Sequence, residues 1–471
     1  MEPCSMLDPQ PGTSTGKRHS KIKCETPQPP LLCSSTDRSS KTSSEESYLS
    51  YLGRMAVSGT DTHNNSQEAS TSVILNFCQI RVLKHYFRLL CFVGWRPMFA
   101  VPNTHGCYGC LQSFNTFYVS CVIALMCVGH VLQYMACFRR DSLLSYKKSD
   151  SPISPSWIQS CSGSVFAVYI LPAFLQLVAY FVTFCNMRAQ DSEQFESLME
   201  KVCLQMAVTD IWPIARKRIT QRLRGVHVAG LIWILSSIGS LGINAFGIRS
   251  IHFDFISDED IWKRCLLVTV LLATLLFHDI ICMAIAVTYS IQCQLLLVYL
   301  QNLNQSVRER TISILSFVKG IEEARKAVKY LNKKQALAVT LQMIWLFSRT
   351  AVCIYALLMT PWDNVIRFVA ALLNVSLWLC LVLLPLVQAC RLSSACNHIR
   401  EVGLELRARP FGYIDEPQED LNSLLLFTSS LRIQAKLCAL PVTKRTVISL
   451  FLLIGICLFI AVELNLVRFG P

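Results

Sequence analysis

Residues 265–300 read CLLVTVLLATLLFHDIICMAIAVTYSIQCQLLLVYL. Apart from the adjacent His278 and Asp279, this run is apolar or uncharged. Roughly 20 residues of helix cross a hydrocarbon core. The run therefore predicts a transmembrane helix over about 265–290, with apolar helix continuing past Tyr289 into the cytosol.

Six further blocks of the same kind lie around it, at about 114–138, 161–187, 226–248, 336–360, 368–390 and 446–467. Pro172 predicts a kink in the second, Pro361 closes the fifth, and Pro385 sits near the end of the sixth. The expected fold is all-α: a seven-transmembrane helical bundle over 113–471. Residues 73–112 form a pre-span segment. Within it, VILNFCQIRVLKHYFRLLCFVG carries Arg81, Lys84 and Arg88 on one helical face, which suits an interfacial or packed helix ended by Gly94 and Pro97. Residues 1–72 are polar and Ser-rich, without the basic-apolar-cleavage pattern of a signal peptide, and are expected to be a disordered cytosolic tail.

Composition agrees with this layout. The chain is 52% hydrophobic and 16% charged, against about 25% charged in soluble proteins. Its net charge of +13 does not imply nucleic acid, because the basic residues cluster between apolar blocks. About half of the 22 cysteines fall inside those blocks, where Cys acts as a small hydrophobe. Cys107 and Cys110 form a lone Cys-x-x-Cys with no second pair at zinc spacing. No metal or cofactor is expected.

Orientation follows from the cations, which are retained on the cytosolic side. The stretches after spans two, four and six (188–224, 308–334 and 391–445) together hold 23 Lys and Arg. Arg139, Arg140, Lys147 and Lys148 follow span one, whereas 250–262 holds no Lys or Arg but does hold Asp254, Asp258, Glu259 and Asp260. The expected arrangement is a cytosolic N-terminus and an extracellular C-terminus. The sequons at Asn64 and Asn304 then face the cytosol, the one at Asn374 lies within span six, and none should carry glycan.

Ionisable side chains at bilayer depth are costly and mark candidate functional positions. His278 and Asp279 lie near the middle of span four, Arg349 near the middle of span five, Glu463 in the outer half of span seven, and His130 nearer the end of span one. They suit a water-filled pocket or pore, or a structural pairing of Asp279 or Glu463 with Arg349. Trp157, Trp262 and Trp362 flank spans as interfacial anchors. Trp233, Trp345 and Trp378 lie inside spans, where they suit core packing, a pocket floor or a light-absorbing cluster. No Gly-rich phosphate loop, His-Glu-x-x-His or Gly-x-Ser-x-Gly is present, so the reading is not that of an enzyme. No paired repeat suggests a transporter.

Three short patches resemble the insect gustatory receptor family. Arg88-Leu89-Leu90-Cys91-Phe92-Val93-Gly94-Trp95-Arg96-Pro97 is similar to the family's Leu-Gly-x-x-Pro region before the first span. Pro441-Val442-Thr443-Lys444-Arg445 is similar to its Val-Thr-Arg-Lys entry to the seventh helix. Ala461-Val462-Glu463-Leu464-Asn465-Leu466-Val467-Arg468-Phe469 aligns with its signature of Thr-Tyr, five mostly apolar residues and Gln-Phe. Of that signature only Phe469 remains; Ala461 and Val462 replace Thr-Tyr, and Arg468 replaces Gln. The degenerate signature and Ser-rich tail resemble the nematode branch, which includes a light sensor and an egg-laying regulator.

The resemblance implies a sensory receptor of the neuronal plasma membrane, embedded in membrane lipid. It implies a homo- or hetero-tetrameric ligand-gated channel whose seventh helices surround a cation pore. The expected pocket for a small-molecule ligand includes His278, Asp279, Trp345 and Arg349. Glu463, Arg468 and Phe469 are the expected gate region. Four copies of Arg468 would favour anions or block cations, or the side chain would snorkel to the outer headgroups. Two further expectations stand beside the channel: a non-conducting receptor that acts through a G protein on neuronal excitability, and light or peroxide sensing through Trp233, Trp345 and Trp378.

Overall fold

In a computed structural model of the chain, the described residues are 84–98, 108–136, 138, 166–189, 212–248, 251, 253, 261–359, 365–408, 418–431, 433–437 and 440–468. The expected tail over 1–72 lies outside them. Ten α-helices are described: α1 (Lys84–Val93), α2 (Tyr108–Met135), α3 (Leu171–Ala189), α4 (Trp212–Gly242), α5 (Ile261–Arg308), α6 (Ile314–Tyr330), α7 (Ala336–Met359), α8 (Val365–Ala408), α9 (Gln418–Ser430) and α10 (Lys444–Arg468). A two-residue hairpin, β1 (Lys436–Leu437) against β2 (Leu440–Pro441), precedes α10.

Each stretch expected to span holds a helix. Among the described residues, Gln112–Met135, Thr220–Ala245, Ile261–Arg308, Ile314–Ile354 and Phe368–Glu405 are long and apolar enough to cross a membrane. α3 and α10 occupy the second and seventh expected positions.

The long-helix expectation for 265–300 is met. α5 has 48 residues, about 72 Å of helix against a hydrocarbon core of about 30 Å. α8 is almost as long at 44 residues and continues past Pro385, which the sequence pattern places near the end of the sixth span. The two pack side by side: Gln294 Nε2 donates to Gln388 Oε1, and Arg308 meets Glu405 at 2.9 Å. Residues late in α5 thus meet residues late in α8, so the helices are parallel. Parallel packing is what one intervening crossing, α7, requires.

α5 is the axis of the bundle. Every residue from Ile281 to Leu300 is buried, and α2, α4, α6, α7, α8 and α1 all pack on it. A helix that is apolar all round is stable in that setting because neighbours cover every face. α6 lies against the overhanging end of α5, where Tyr299 Oη donates to the Gly320 carbonyl at 3.4 Å. Ser313 caps α6 by accepting from the Ser316 N–H.

Pro172, where a kink in span two is expected, lies at a change of helix type. A π-helical turn, Phe166–Ile170, runs into α3, and Pro172 sits in the first turn of that helix. Proline lacks the N–H that would bond one turn back, so it is tolerated where the bonding pattern is already changing. A second π turn, Leu331–Gln335, joins α6 to α7. There Asn332 clasps the hairpin, donating to the Gln434 carbonyl and accepting from the Lys436 N–H, both at 2.8 Å. Thr443 then accepts from the Thr446 N–H at the start of α10.

The sequon residues Asn304 and Asn374 are both buried, which leaves no access for a glycan. Asn64 lies outside the described residues.

Candidate ligand pocket

His278, Asp279, Trp345 and Arg349 line one cavity, joined by His130, Gln133, Tyr169, Pro172, Gln176 and Leu275. The lining comes from α2, α3, α5, α7 and the π turn before α3. The four residues singled out from sequence are thus neighbours, although α5 and α7 contribute them from about two helices apart in the chain. His130, read as nearer a span end, belongs to the same site.

His278 is fixed by two bonds. Its Nε2 lies 3.1 Å from the Met126 carbonyl, which can only accept, so Nε2 carries the proton. Its Nδ1 then accepts from Gln133 Nε2 at 3.4 Å. This network holds one neutral tautomer. The His130 ring stacks on it with centroids 4.3 Å apart. The close approach of α2 needs Gly129: a Cβ there would stand 2.9 Å from both His278 Cε1 and Thr274 Cβ. Beside it, Asp279 accepts from the buried Ser237 hydroxyl of α4.

Trp345 and Arg349 are one turn apart on α7, so they share a face. The guanidinium lies 4.6 Å from the centre of the Trp345 ring and 4.8 Å from that of Trp378, a cation–π arrangement that stabilises a charge away from water. Trp378 in turn stands 6.2 Å from both Trp345 and Trp233, and Trp233 Nε1 donates to the Leu377 carbonyl at 2.8 Å. The three intramembrane tryptophans therefore form one cluster, with Arg349 on its cavity side.

The cavity holds about 30 Å³, room for about two waters. Three buried polar atoms on its wall, His130 Nε2, Gln176 Oε1 and Trp345 Nε1, have no hydrogen-bond partner among the described residues. Buried polar atoms are seldom left so. The site thus offers a carbonyl acceptor, an indole donor and an imidazole nitrogen beside an aromatic wall.

Sequence reasoning misses Gln133, Gln176, Ser237 and Gly129. Gln133 and Gln176 have a usable signal, an amide inside an apolar block. Gly129 and Ser237 have none, because their roles depend on which helix lies opposite. Of the expected gate residues, Glu463 and Arg468 lie on the α10 backbone and Phe469 is outside the described residues.

No protein-family model matches the chain, and no curated protein matches it by sequence. Solved structures do. The insect olfactory receptor OR5 from Machilis hrabei, in complex with eugenol, superposes with a TM-score of 0.56 at 11% identity, covering 82% of this chain and 100% of the receptor chain. A second structure of that receptor gives 0.54 at 10% identity, covering 81% and 98%. At such identity the likeness speaks for the fold: this chain is a multi-pass helical membrane protein that shares its fold with an insect olfactory receptor.

Proposed function

We propose that the chain is a chemosensory receptor of the plasma membrane, gustatory-receptor-like, and the subunit of a ligand-gated ion channel. All seven expected helices cross the bilayer, with the N-terminus in the cytosol and the C-terminus outside. The cation bias supports that orientation. It stands at 23 within the even stretches against nine flanking the outer ends, once Arg249, Lys263, Arg264, Arg367 and Arg468 join the four after span one.

One observation carries the receptor reading: His130, His278, Asp279, Trp345 and Arg349, from three helices of the bundle, line one small cavity. The olfactory receptor of the same fold is described in complex with eugenol, a precedent for a small organic ligand. A ligand larger than two waters must part the walls. α7 carries Trp345 and Arg349 and also packs on α10. A ligand that binds the parted arrangement better shifts the population toward it, and α7 carries that movement to α10. Four α10 helices around a pore would then open together. Glu463, Arg468 and Phe469 are the gate residues on this reading.

Whole-cell recording from cells that express the chain at their surface tests this, with a panel of small aromatic and phenolic compounds as stimuli. An evoked current that Arg349→Ala and Gln176→Leu abolish, with surface protein unchanged, is expected. No current from well-expressed protein across the panel would sink the channel reading.

The tryptophan cluster favours a second reading, light sensing. Three indoles in the order Trp233–Trp378–Trp345, with neighbouring centres 6.2 Å apart, can share excitation, and the redistributed charge of an excited ring acts on Arg349 beside it. Trp378→Phe should then abolish an ultraviolet response while leaving a ligand-evoked one intact.

A further inference from the structure

A second site lies on α1, apart from the pocket. This short helix packs lengthwise on the bundle. Tyr86, in its first turn, bonds Thr288 Oγ1 at 3.4 Å and has its ring 6.1 Å from His227. Phe92, in its last turn, packs on Phe277 at 5.8 Å. Between Thr288 and Phe277, α5 advances about 16 Å, close to the full length of a ten-residue helix. α1 therefore runs antiparallel along α5, from the cytosolic limit of the fourth span toward the bilayer interior.

The chain then doubles back. Gly94 adopts φ +84°, and the N–H of Trp95 bonds the Leu90 carbonyl at 2.9 Å, the closure that a left-handed residue after a helix provides. A side chain at Gly94 would also crowd Val119 Cγ2 at 3.3 Å. The reversal is anchored by Tyr180 Oη, which donates to the Val93 carbonyl at 3.0 Å. It returns Arg96 toward the start of α1, where its guanidinium stacks on Phe87 at 4.1 Å.

The result is an open groove of about 650 Å³ lined by Lys84, Phe87, Arg88, Phe92, Arg96 and Met98, with Cys91 at its floor. Its chemistry is graded. Lys84 and Arg88 are successive on one face of α1, and Arg96 joins them. Among the described residues, no carboxylate lines the groove. Like charges one turn apart repel, so an anion placed among them is favoured. In the last turn of α1 Phe92 is 46% exposed, and Met98 on the returning chain is 42% exposed, an apolar surface that the described residues leave uncovered.

We propose that this groove binds an anionic glycerophospholipid of the cytosolic leaflet. Its phosphate and acidic headgroup would sit among Lys84, Arg88 and Arg96, and an acyl chain would lie over Phe92 and Met98. The charge order matches the depth order: cations at headgroup level, hydrocarbon surface further in. A soluble anion would use only half of the groove, and a zwitterionic lipid would offer no net negative charge to a site that has three cations. The choice of leaflet rests on the orientation proposed above, whereas the headgroup preference does not.

The test uses the purified full-length protein in detergent and native mass spectrometry, with phosphatidylserine, phosphatidylcholine and tail-less glycerophosphoserine as probes. Phosphatidylserine should be retained at least tenfold better than phosphatidylcholine, and glycerophosphoserine should not compete. Each basic residue near a membrane surface contributes about fivefold, so K84Q/R88Q/R96Q should lose on the order of a hundredfold in retention. If that variant does not fold, Lys84→Gln alone, outside the Arg96–Phe87 stack, should lose about fivefold. Neutralising Arg325, Lys326 and Lys329 on α6 should change nothing. Equal retention of the two lipids, equal competition by glycerophosphoserine, or equal loss from the α6 control would each overturn the site. A reversed orientation by tag accessibility would move the groove to the other leaflet but leave the detergent result standing, so the two failures are distinguishable.

Discussion

α5 and α10 both read as apolar helices with no polar stripe to mark an outer face, and the fold treats them in opposite ways. α5 is enclosed on all sides over Ile281–Leu300 by other parts of its own chain. α10 packs on α7 and leaves Ile448, Leu452, Leu453, Ile456, Phe459 and Ile460 exposed, each by half or more. A contiguous apolar face of that kind marks a surface meant for lipid or for another protein. The contrast separates what holds one subunit together from what joins it to its surroundings. α5 is the internal axis, and α10 keeps an apolar face that the described residues leave open.

The sharpest way to break the comparison is a charge on the axis. Ile291→Asp buries a carboxylate where the chain offers it no water, at a cost above about 4 kcal/mol. No monodisperse protein should emerge from fluorescence-detected size-exclusion chromatography. Truncation gives a graded version. Leu300→Ala should lower stability by about 2–5 kcal/mol, whereas Leu452→Ala should stay within about 0.5 kcal/mol, both read from thermal unfolding of the solubilised protein. If the two variants melt alike, the distinction between axis and outer helix fails. L452A/L453A/I456A sharpens the same point: cross-linking should show fewer multi-subunit species at an unchanged melting temperature.

Gly129→Val tests the pocket rather than the axis. It pushes His278 from its seat at a stability cost of about 1–3 kcal/mol, and any evoked response should weaken more than folding does. The smallest effect belongs to the overhanging ends of α5 and α8. Arg308 and Glu405 are 43% and 35% exposed, so Arg308→Ala should change unfolding by no more than about 1 kcal/mol.

The pocket is partly legible in the sequence. His278, Asp279 and Arg349 stand out because an ionisable group inside an apolar block needs a reason, and Trp345 stands out as a large polar-edged ring in such a block. Their convergence does not. α5 and α7 are separated by α6 and a π turn, and nothing in either helix fixes its rotation about its own axis. Gly129 illustrates the limit: glycine in an apolar helix has many uses, and only the facing His278 ring shows which one applies. Pro172 and Pro385 show it from the other side. Both look like breaks in the sequence, yet one sits at the start of a helix beside a π turn and the other inside α8, whose neighbours α5 and α7 hold it on course.

By itself the sequence determined that this chain lies in a bilayer as helices and where each would run. Blocks without charge cannot stay in water, and backbone groups in hydrocarbon must bond within their own segment. Only the tertiary structure decided which apolar helix is enclosed and which is left open, and which polar side chains meet. An all-apolar helix carries no stripe to set its azimuth, so shape alone, through close contacts such as Gly129 against His278, selects its neighbours.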